Sequence, residues 1–378
     1  MTTTIQRYCF NLEFYDQMAA IVRPYQLFFY PEDNSIEMFD LKNKKIFLKR
    51  VVYPSLSMKD LYVGSVINIY SRKQIVSDYG DTFTRNLFQE TRSSTFGMIK
   101  PCSYMNIGKI LDYIYNSAQF SISKLKMTKF LPSDAEEFYA EHKGKNFFEG
   151  LTQFITSDYI VGMELVQKNA LQNWRDCIGP TDSDKARKEA PNSIRALFGT
   201  DGRRNAVHGS DSSQNASREL ELFFGPKSKL RSTSQLNNCT CLVIKPHAIS
   251  EGYAGKIIDI VLSNGFEISA MEMFYLNKTM SEEFHEVYKG VLPEYSGMVE
   301  QTSLGPIIAM EIRQDDAVNK LRALVGPHDP EIAKQLRPNT LRALFGIDRV
   351  RNAVHCTDLT EDGVLEVQYF FELLQQDK

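Results

Sequence analysis

Hydrophobic positions follow two different patterns along this chain. Over residues 1–88 they form short aromatic and β-branched runs, IVRPYQLFFY, SIEMFDLK, KIFLKR and LYVGSVINIYS, broken by turn-rich stretches such as PEDN and LKNK. Such runs predict a small, mostly antiparallel β domain. The break QETRSS at 89–94 reads as a linker. Beyond it strands alternate with helices. FGMIK reads as a buried strand, IGKILDYIYNSA carries apolar residues at helical spacing, SISKLKMTKF alternates like a half-buried strand, and YIVGMELV is another strand. Ser133 with Glu136 predicts a capping box for the helix holding Phe138 and Tyr139. This module ends near Phe224.

PKSKLRSTSQLNN, at 226–238, is polar and basic with no apolar period, and reads as an inter-domain linker. The order of elements then repeats. CLVIK is a strand, AGKIIDIVLSNG a helix, FEISAMEMFYL a strand, PIIAMEI a third strand, and VQYFFELL closes the module. Thr279 with Glu282 predicts a second capping box. Strand–helix–strand, helix, strand and a short final strand fit a ferredoxin-like antiparallel sheet, so the expected class is α+β. The expected layout is a β-rich leader over 1–90, a first module over 95–225, a linker over 226–238 and a second module over 239–374.

In one place the repetition is nearly literal. Residues 195–208 read RALFGTDGRRNAVH and residues 342–355 read RALFGIDRVRNAVH, an offset of 147 at both ends. A repeat of this length is a whole small domain. On that offset Arg175 meets Arg322, Arg195 meets Arg342, Asn205 meets Asn352, His208 meets His355 and Glu219 meets Glu366, and Lys100 in MIKP matches Lys245 in VIKP. Tyr139 also aligns with Tyr288. The set suits phosphoryl transfer. A neutral imidazole is a good nucleophile, and a carboxylate on one ring nitrogen fixes which nitrogen attacks. One lysine and two arginines can neutralise the oxygens of a transferring phosphoryl group, while Asn and Lys can hold ribose hydroxyls. His142, His247, His285 and His328 lack such company and read as ordinary core or surface histidines.

Composition changes this picture little. The 378 residues are 43% hydrophobic and 24% charged, an ordinary globular balance with room for two or three domains. A net charge of −3 gives no bulk electrostatic case for nucleic acid or an anionic membrane. Six scattered cysteines without CxxC spacing read as reduced thiols. The start, MTTTIQRYCF, lacks the apolar core of a signal peptide, and no apolar run is long enough to span a bilayer. The expectation is a soluble, intracellular protein. There is no GxxxxGK[ST] loop and no protein-kinase motif set.

Residues 95–225 and 238–374 each resemble a nucleoside diphosphate kinase domain. NAVHGSDS at 205–212 is similar to that family's N-x-x-H-G-S-D-S motif, and the Lys-Pro strand end, the Arg before a Gly-Pro turn, and the spaced Arg and Glu agree with it. The resemblance implies a ping-pong transfer of the γ-phosphate of ATP or another nucleoside triphosphate to a nucleoside diphosphate. His208 is then the nucleophile, oriented by Glu219 and Ser210. Lys100, Arg175, Thr181 and Arg195 contact phosphates, Asn205 and Lys100 reach the sugar, Phe147 stacks on the base, and Tyr139 lies beside the phosphate path. Mg²⁺ is held mainly by nucleotide and water, without a protein cage. Cys102 and Lys145 stand where the family usually has Asp and Arg.

The second module departs further. The base-stacking position falls on Glu294 beside Tyr295, the phosphate-side Thr becomes His328, and the Gly and Ser after the nucleophile become Cys356 and Thr357. A Gly lost there matters if the backbone needs positive φ or close approach. The second set of Lys245, Tyr288, Arg322, Arg342, Asn352, His355 and Glu366 is therefore expected to turn over slowly, if at all. A β-rich leader before two such domains resembles the axonemal, tandem-domain branch of the family, whose leader is of the DM-ten type. That layout implies the cytoplasm, the cytoskeleton and the ciliary axoneme, with the centrosome as a further site. Its implied partners are nucleotides, tubulin, other doublet-microtubule proteins and γ-tubulin complexes. Two function classes follow, an enzyme working through His208 and a structural protein that keeps kinase domains chiefly as shape. Paired modules in one chain are expected to replace the family's dimer internally, leaving a monomer.

Overall fold

The computed structural model describes residues 6–16, 19, 21–70, 72–88 and 93–376. The first five residues of the start discussed above, and 89–92 of the expected first linker, lie outside the described residues. The chain divides into two compact units, Met1–Arg92 with Tyr275–Pro306, and Ser93–Phe274 with Ile307–Lys378. The second module, read from sequence as one block, thus lends Tyr275–Pro306 to the unit of the leader. One reason is Asn68 on the leader's sheet, whose Nδ2 donates to the carbonyls of Leu276 (3.3 Å) and Ser303.

The leader's six strands are β1 (Tyr8–Asp16), β2 (Ile21–Tyr30), β3 (Ser35–Asp40), β4 (Lys45–Val52), β5 (Val66–Ile69) and β6 (Arg72–Tyr79). They form one antiparallel sheet in the order β4-β3-β2-β1-β6-β5. Phe10, Leu12, Leu27, Phe29, Ile36 and Met38 fill its core. The hydrophobic runs do not predict β1 and β6. In β6 the reason is plain: Gln74 points inward at 1% exposure while Ile75 is 46% exposed, the reverse of the usual alternation.

In the other unit the first module contributes β7 (Ser93–Ile99), β8 (Ser121–Thr128), β9 (Ile160–Gln167) and β10 (Val207–Gly209). The second contributes β11 (Cys239–Ile244), β12 (Glu267–Phe274), β13 (Ile307–Arg313) and β14 (Val354–Cys356). β7 begins at Ser93, so two residues of the expected linker are strand. The sheet order is β10-β7-β9-β8-β12-β13-β11-β14. Each half keeps the ferredoxin-like arrangement, and the halves meet where β8 pairs antiparallel with β12, Lys126 opposite Glu272. Both short edge strands carry a histidine, His208 and His355.

Two local expectations need correction. The helix Pro132–Phe138 is capped at Leu131, whose N–H donates to Asp134 Oδ2 (2.8 Å), so the Ser133–Glu136 box does not form. Proline's fixed φ suits the first helical position and starts the helix early. The helix Lys278–Phe284 is capped by Asn277, whose Oδ1 accepts from the Met280 N–H (2.9 Å), in place of Thr279–Glu282. The polar stretch 226–238 is docked along its length. Leu230 packs with Phe96, Phe138 and Phe223, its carbonyl accepts from Lys126 Nζ (2.9 Å), and buried Glu311 accepts from the N–H groups of Gln235 and Leu236 (both 2.6 Å). VQYFFELL is helical, from Gly363–Gln368 into a π-type turn at Tyr369–Leu373.

Candidate active site

The first module's site is built around a backbone constraint. Ala206 adopts φ 66°, left-handed for a residue with a side chain, and its carbonyl accepts from the Lys100 N–H (2.8 Å). A left-handed alanine costs about 1–2 kcal/mol. Here it turns the chain so that Asn205 lies beneath Lys100 and His208 emerges on β10 opposite Met98 of β7. The second copy repeats the device, with Ala353 at φ 69° accepting from the Lys245 N–H (2.9 Å).

His208 Nε2 is 3.0 Å from Glu219 Oε1, and Ser210 Oγ donates to Glu219 Oε2 at 2.5 Å. Glu219 sits on the helix Ser213–Phe224 and is 4% exposed, so its two oxygens are committed. The carboxylate holds the proton on Nε2 and leaves the Nδ1 lone pair available. Phe138 and Tyr139 pack edge-on against the imidazole, with centroids at 5.1 and 6.2 Å. Behind it the buried Trp174 donates Nε1 to the His208 carbonyl (3.4 Å). A Cβ on Gly209 would lie 2.6 Å from that ring nitrogen, so glycine is needed for close approach and not for positive φ. The second module solves the same contact in reverse. Cys356 takes the glycine position, and Leu321 takes that of Trp174.

A cavity of about 520 Å³ opens beside His208 and is lined by Lys100, Tyr139, Phe147, Thr181, Arg195, Asn205 and Glu219, all expected from sequence. That volume suits a nucleotide-sized ligand. Two expected residues do not line it. Ser210 stands behind Glu219, and Arg175 is tied at 2.8 Å to the carbonyl of Asp211, at the rim. Asn205, expected at the sugar, is 1% exposed and already engaged. Its Oδ1 accepts from Lys100 Nζ (2.7 Å) and its Nδ2 donates to the Thr181 carbonyl (2.8 Å). It positions Lys100 and the phosphate-side loop.

The electrostatics call for an anion. Lys100 and Arg195 are both buried, at 6% and 8% exposure, and neither pairs with a carboxylate among the described residues. Burial, reinforced by Arg195, lowers the Lys100 ammonium to about 7, and burial with Arg175 lowers Arg195 to about 10. Arg195 Nε and Tyr139 Oη are buried without a partner. Burial, then Glu219, pushes the Tyr139 phenol well above its usual range. Two cations held together out of water are costly unless a ligand completes them.

Sequence reasoning missed several cavity residues, among them His142, Leu151, Arg203 and Asp211. His142, read from sequence as an ordinary core or surface histidine, lines the cavity, with its ring stacked on Tyr139 (6.1 Å) and edge-on to Phe147 (5.6 Å). Its position three residues beyond Tyr139, on a helical turn, was the available signal.

The second module keeps the framework. Lys245 Nζ donates to Asn352 Oδ1 (2.7 Å), His355 Nε2 lies 2.7 Å from Glu366 Oε2, and Thr357 replaces Ser210 with its Oγ1 donating to the same oxygen (2.8 Å). Arg342 binds the Gly326 and Val354 carbonyls, and Arg322 binds that of Asp358, as Arg195 and Arg175 do in the first copy. Asn352 Nδ2 donates to the carbonyl of His328, as Asn205 does to that of Thr181. His247 Nε2 accepts from the Ala353 N–H (3.2 Å), and burial lowers that imidazole to about 4, so it is neutral and structural. The histidine side chains differ in access, 19% exposed at His208 and 5% at His355. Tyr288 belongs to Tyr275–Pro306, in the leader's unit.

This framework has counterparts among known proteins. The nucleoside diphosphate kinase model matches residues 93–229 and 238–375, and a model described as the nucleoside diphosphate kinase 7 N-terminal PH domain matches 2–90. The chain belongs to the nucleoside diphosphate kinase family, with a PH-like leader and two tandem kinase domains. It is 47% identical over 375 residues to nucleoside diphosphate kinase homolog 7 of Rattus norvegicus, covering 98% of this chain and 94% of that one. Over the same length and shares it is 46% identical to the Mus musculus protein of that name. A single-domain nucleoside diphosphate kinase of Aquifex aeolicus is 47% identical over 136 residues, 36% of this chain and 95% of the bacterial one.

Proposed function

We propose that the first module transfers a phosphoryl group from a nucleoside triphosphate to a nucleoside diphosphate through phosphohistidine at His208. The observation that carries this is the orientation of the imidazole. Nε2 is held by Glu219 while the ring lines a cavity walled by two buried cations that pair with no carboxylate among the described residues. The Nδ1 lone pair attacks the γ-phosphorus, the bond from that phosphorus to the bridging oxygen breaks, and the diphosphate leaves with the bonding electrons. The charge gained by the ring is held by Glu219 across Nε2. Lys100 and Arg195 stabilise the oxygens of the transferring group, and Asn205 keeps Lys100 in register. A second diphosphate then attacks the phosphohistidine and restores the ring. Mg²⁺ would offset the charge of the nucleotide's phosphates, and Asp211, one of the carboxylates lining the cavity, would help to hold it through water.

Incubating the full chain with γ-labelled ATP tests this. Acid-labile label is expected on wild type and absent from His208→Asn, and an unlabelled wild type sinks the transfer mechanism. His355→Asn is expected to keep nearly all of the label, because the His355 side chain is the less accessible.

A second, structural use of the domains is favoured by that burial of His355. Residence in the cytoplasm, at the cilium and axoneme or at the centrosome, beside tubulin and γ-tubulin complexes, belongs to the same proposal. It rests on the likeness of domain layout. A tagged chain excluded from axonemes and centrosomes argues against it.

A further inference from the structure

Arg203 stands apart from the other cations of the cavity. Its backbone N–H donates to Asp201 Oδ1 (2.9 Å), but its guanidinium donates no hydrogen bond among the described residues. The nearby Asp201 carboxylate is committed to Arg204 (2.8 Å). The guanidinium reaches across to the helix Phe148–Ile155 and lies over Gly150. A Cβ there would meet Nη2, Cζ and Nη1 at 2.6, 2.8 and 2.9 Å, near-equal distances that set the guanidinium plane face-on against the glycine. Gly150 thus clears a seat for a flat cation. The seat lies one helical turn beyond Phe147 and next to Leu151, both of which line the cavity. It is away from Arg195, whose guanidinium is tied to the Gly179 and Val207 carbonyls. Arg203, with Gly202, also lines the adjoining hollow formed with Gln153 and Phe154.

We propose that Arg203 is a specificity-determining residue that selects the nucleobase, and that the first module prefers guanine to adenine nucleotides. The proposal rests on the nucleotide reading above and deepens it. Phe147 offers a face on which any base stacks and discriminates little. A guanidinium donates only, in a rigid fork, so it rewards paired acceptors. Guanine presents O6 and N7 together on one edge, whereas adenine presents N7 beside a donor amino group. The seat over Gly150 holds the fork in place before the ligand arrives, which reduces what binding must order. The second copy has Val350 at this position and lacks the device.

Calorimetric binding of GDP and ADP to the full chain tests this independently of transfer, so a chain that binds but does not label still answers the question. Wild type is expected to bind GDP about five- to tenfold more tightly, the low end of what a bidentate Arg–guanine contact gives, because Arg203 is exposed. Arg203→Ala is expected to bring the ratio to near one with ADP affinity nearly unchanged. Gly150→Ala provides the folding control. Alanine favours the helix, while its Cβ unseats the guanidinium, so the same loss of preference is expected in a chain at least as stable. Equal binding of GDP and ADP by wild type overturns the proposal. So does an Arg203→Ala variant that loses both nucleotides equally with a reduced salt dependence, the mark of a phosphate contact.

Discussion

At the residue scale, the two copies run a natural exchange experiment around the nucleophile. Gly209 against Trp174 in one copy corresponds to Cys356 against Leu321 in the other. Gly209→Ala is expected to destabilise the chain by roughly 1–3 kcal/mol, because a Cβ 2.6 Å from the buried indole nitrogen overpacks the site. Trp174→Leu in the same chain is expected to recover part of that loss, and denaturant titration of the single and double variants measures the coupling. The buried lysines carry a pH prediction. Lys100 and Lys245 are each lowered by burial from 10.5 to about 7. Between those values the unfolded chain binds more protons than the folded one, so stability rises with pH across that window and falls as pH drops toward 7. Anion binding returns the proton to Lys100. Titrating nucleotide at pH 8 in buffers of different ionisation enthalpy is expected to show proton uptake, reduced in Lys100→Met.

At the element scale, sequence and structure part where a single side chain outweighs the pattern. The Lys-Pro strand ends and the strand–helix order are readable, because apolar period and a repeated motif report them directly, whereas the edge strands bearing His208 and His355 are too short to show a period. β6 is not, because Gln74 faces inward and Ile75 outward. Neither is the docked linker, whose polar composition hides one buried leucine and a buried acceptor contributed from β13. Glu311→Gln leaves the acceptor oxygen but removes the charge and introduces a donor. The 231–236 stretch is expected to become more sensitive to limited proteolysis, read by mass spectrometry of the fragments. The true caps carry ordinary weight, and Asn277→Ala is expected to cost about 1 kcal/mol in denaturant titrations. The left-handed alanines before each histidine have no sequence signal, since alanine is among the last residues expected there.

At the scale of the whole molecule, the kinase modules share one sheet and a helix crossing that follows the repeat. A Cβ on Gly108 would lie 2.3 Å from the backbone nitrogen of Asp259, and one on Gly255 would lie 2.2 Å from that of Asp112. Glycine and aspartate exchange roles at the repeat offset, so the two helices meet about a pseudo-two-fold axis. This arrangement supports the proposal of a monomer with an internal pseudo-dimer. Sedimentation is expected to give the mass of one chain, and a mass near six chains would count against it. Gly108→Leu is expected to destabilise the chain strongly, since backbone and not a flexible side chain stands in the way. Sequence alone determined the duplicated architecture, the family and part of the lining of the first site, because these are written in periodicity, in residues kept in both copies and, for Phe147 and Thr181, in the resemblance to the family. Tertiary structure alone decided that Asn205 serves Lys100, that Arg175 stands at the rim, that Arg203 rests on Gly150 and that Tyr275–Pro306 sides with the leader. Each of these depends on distances between segments remote in the chain, which local pattern does not encode.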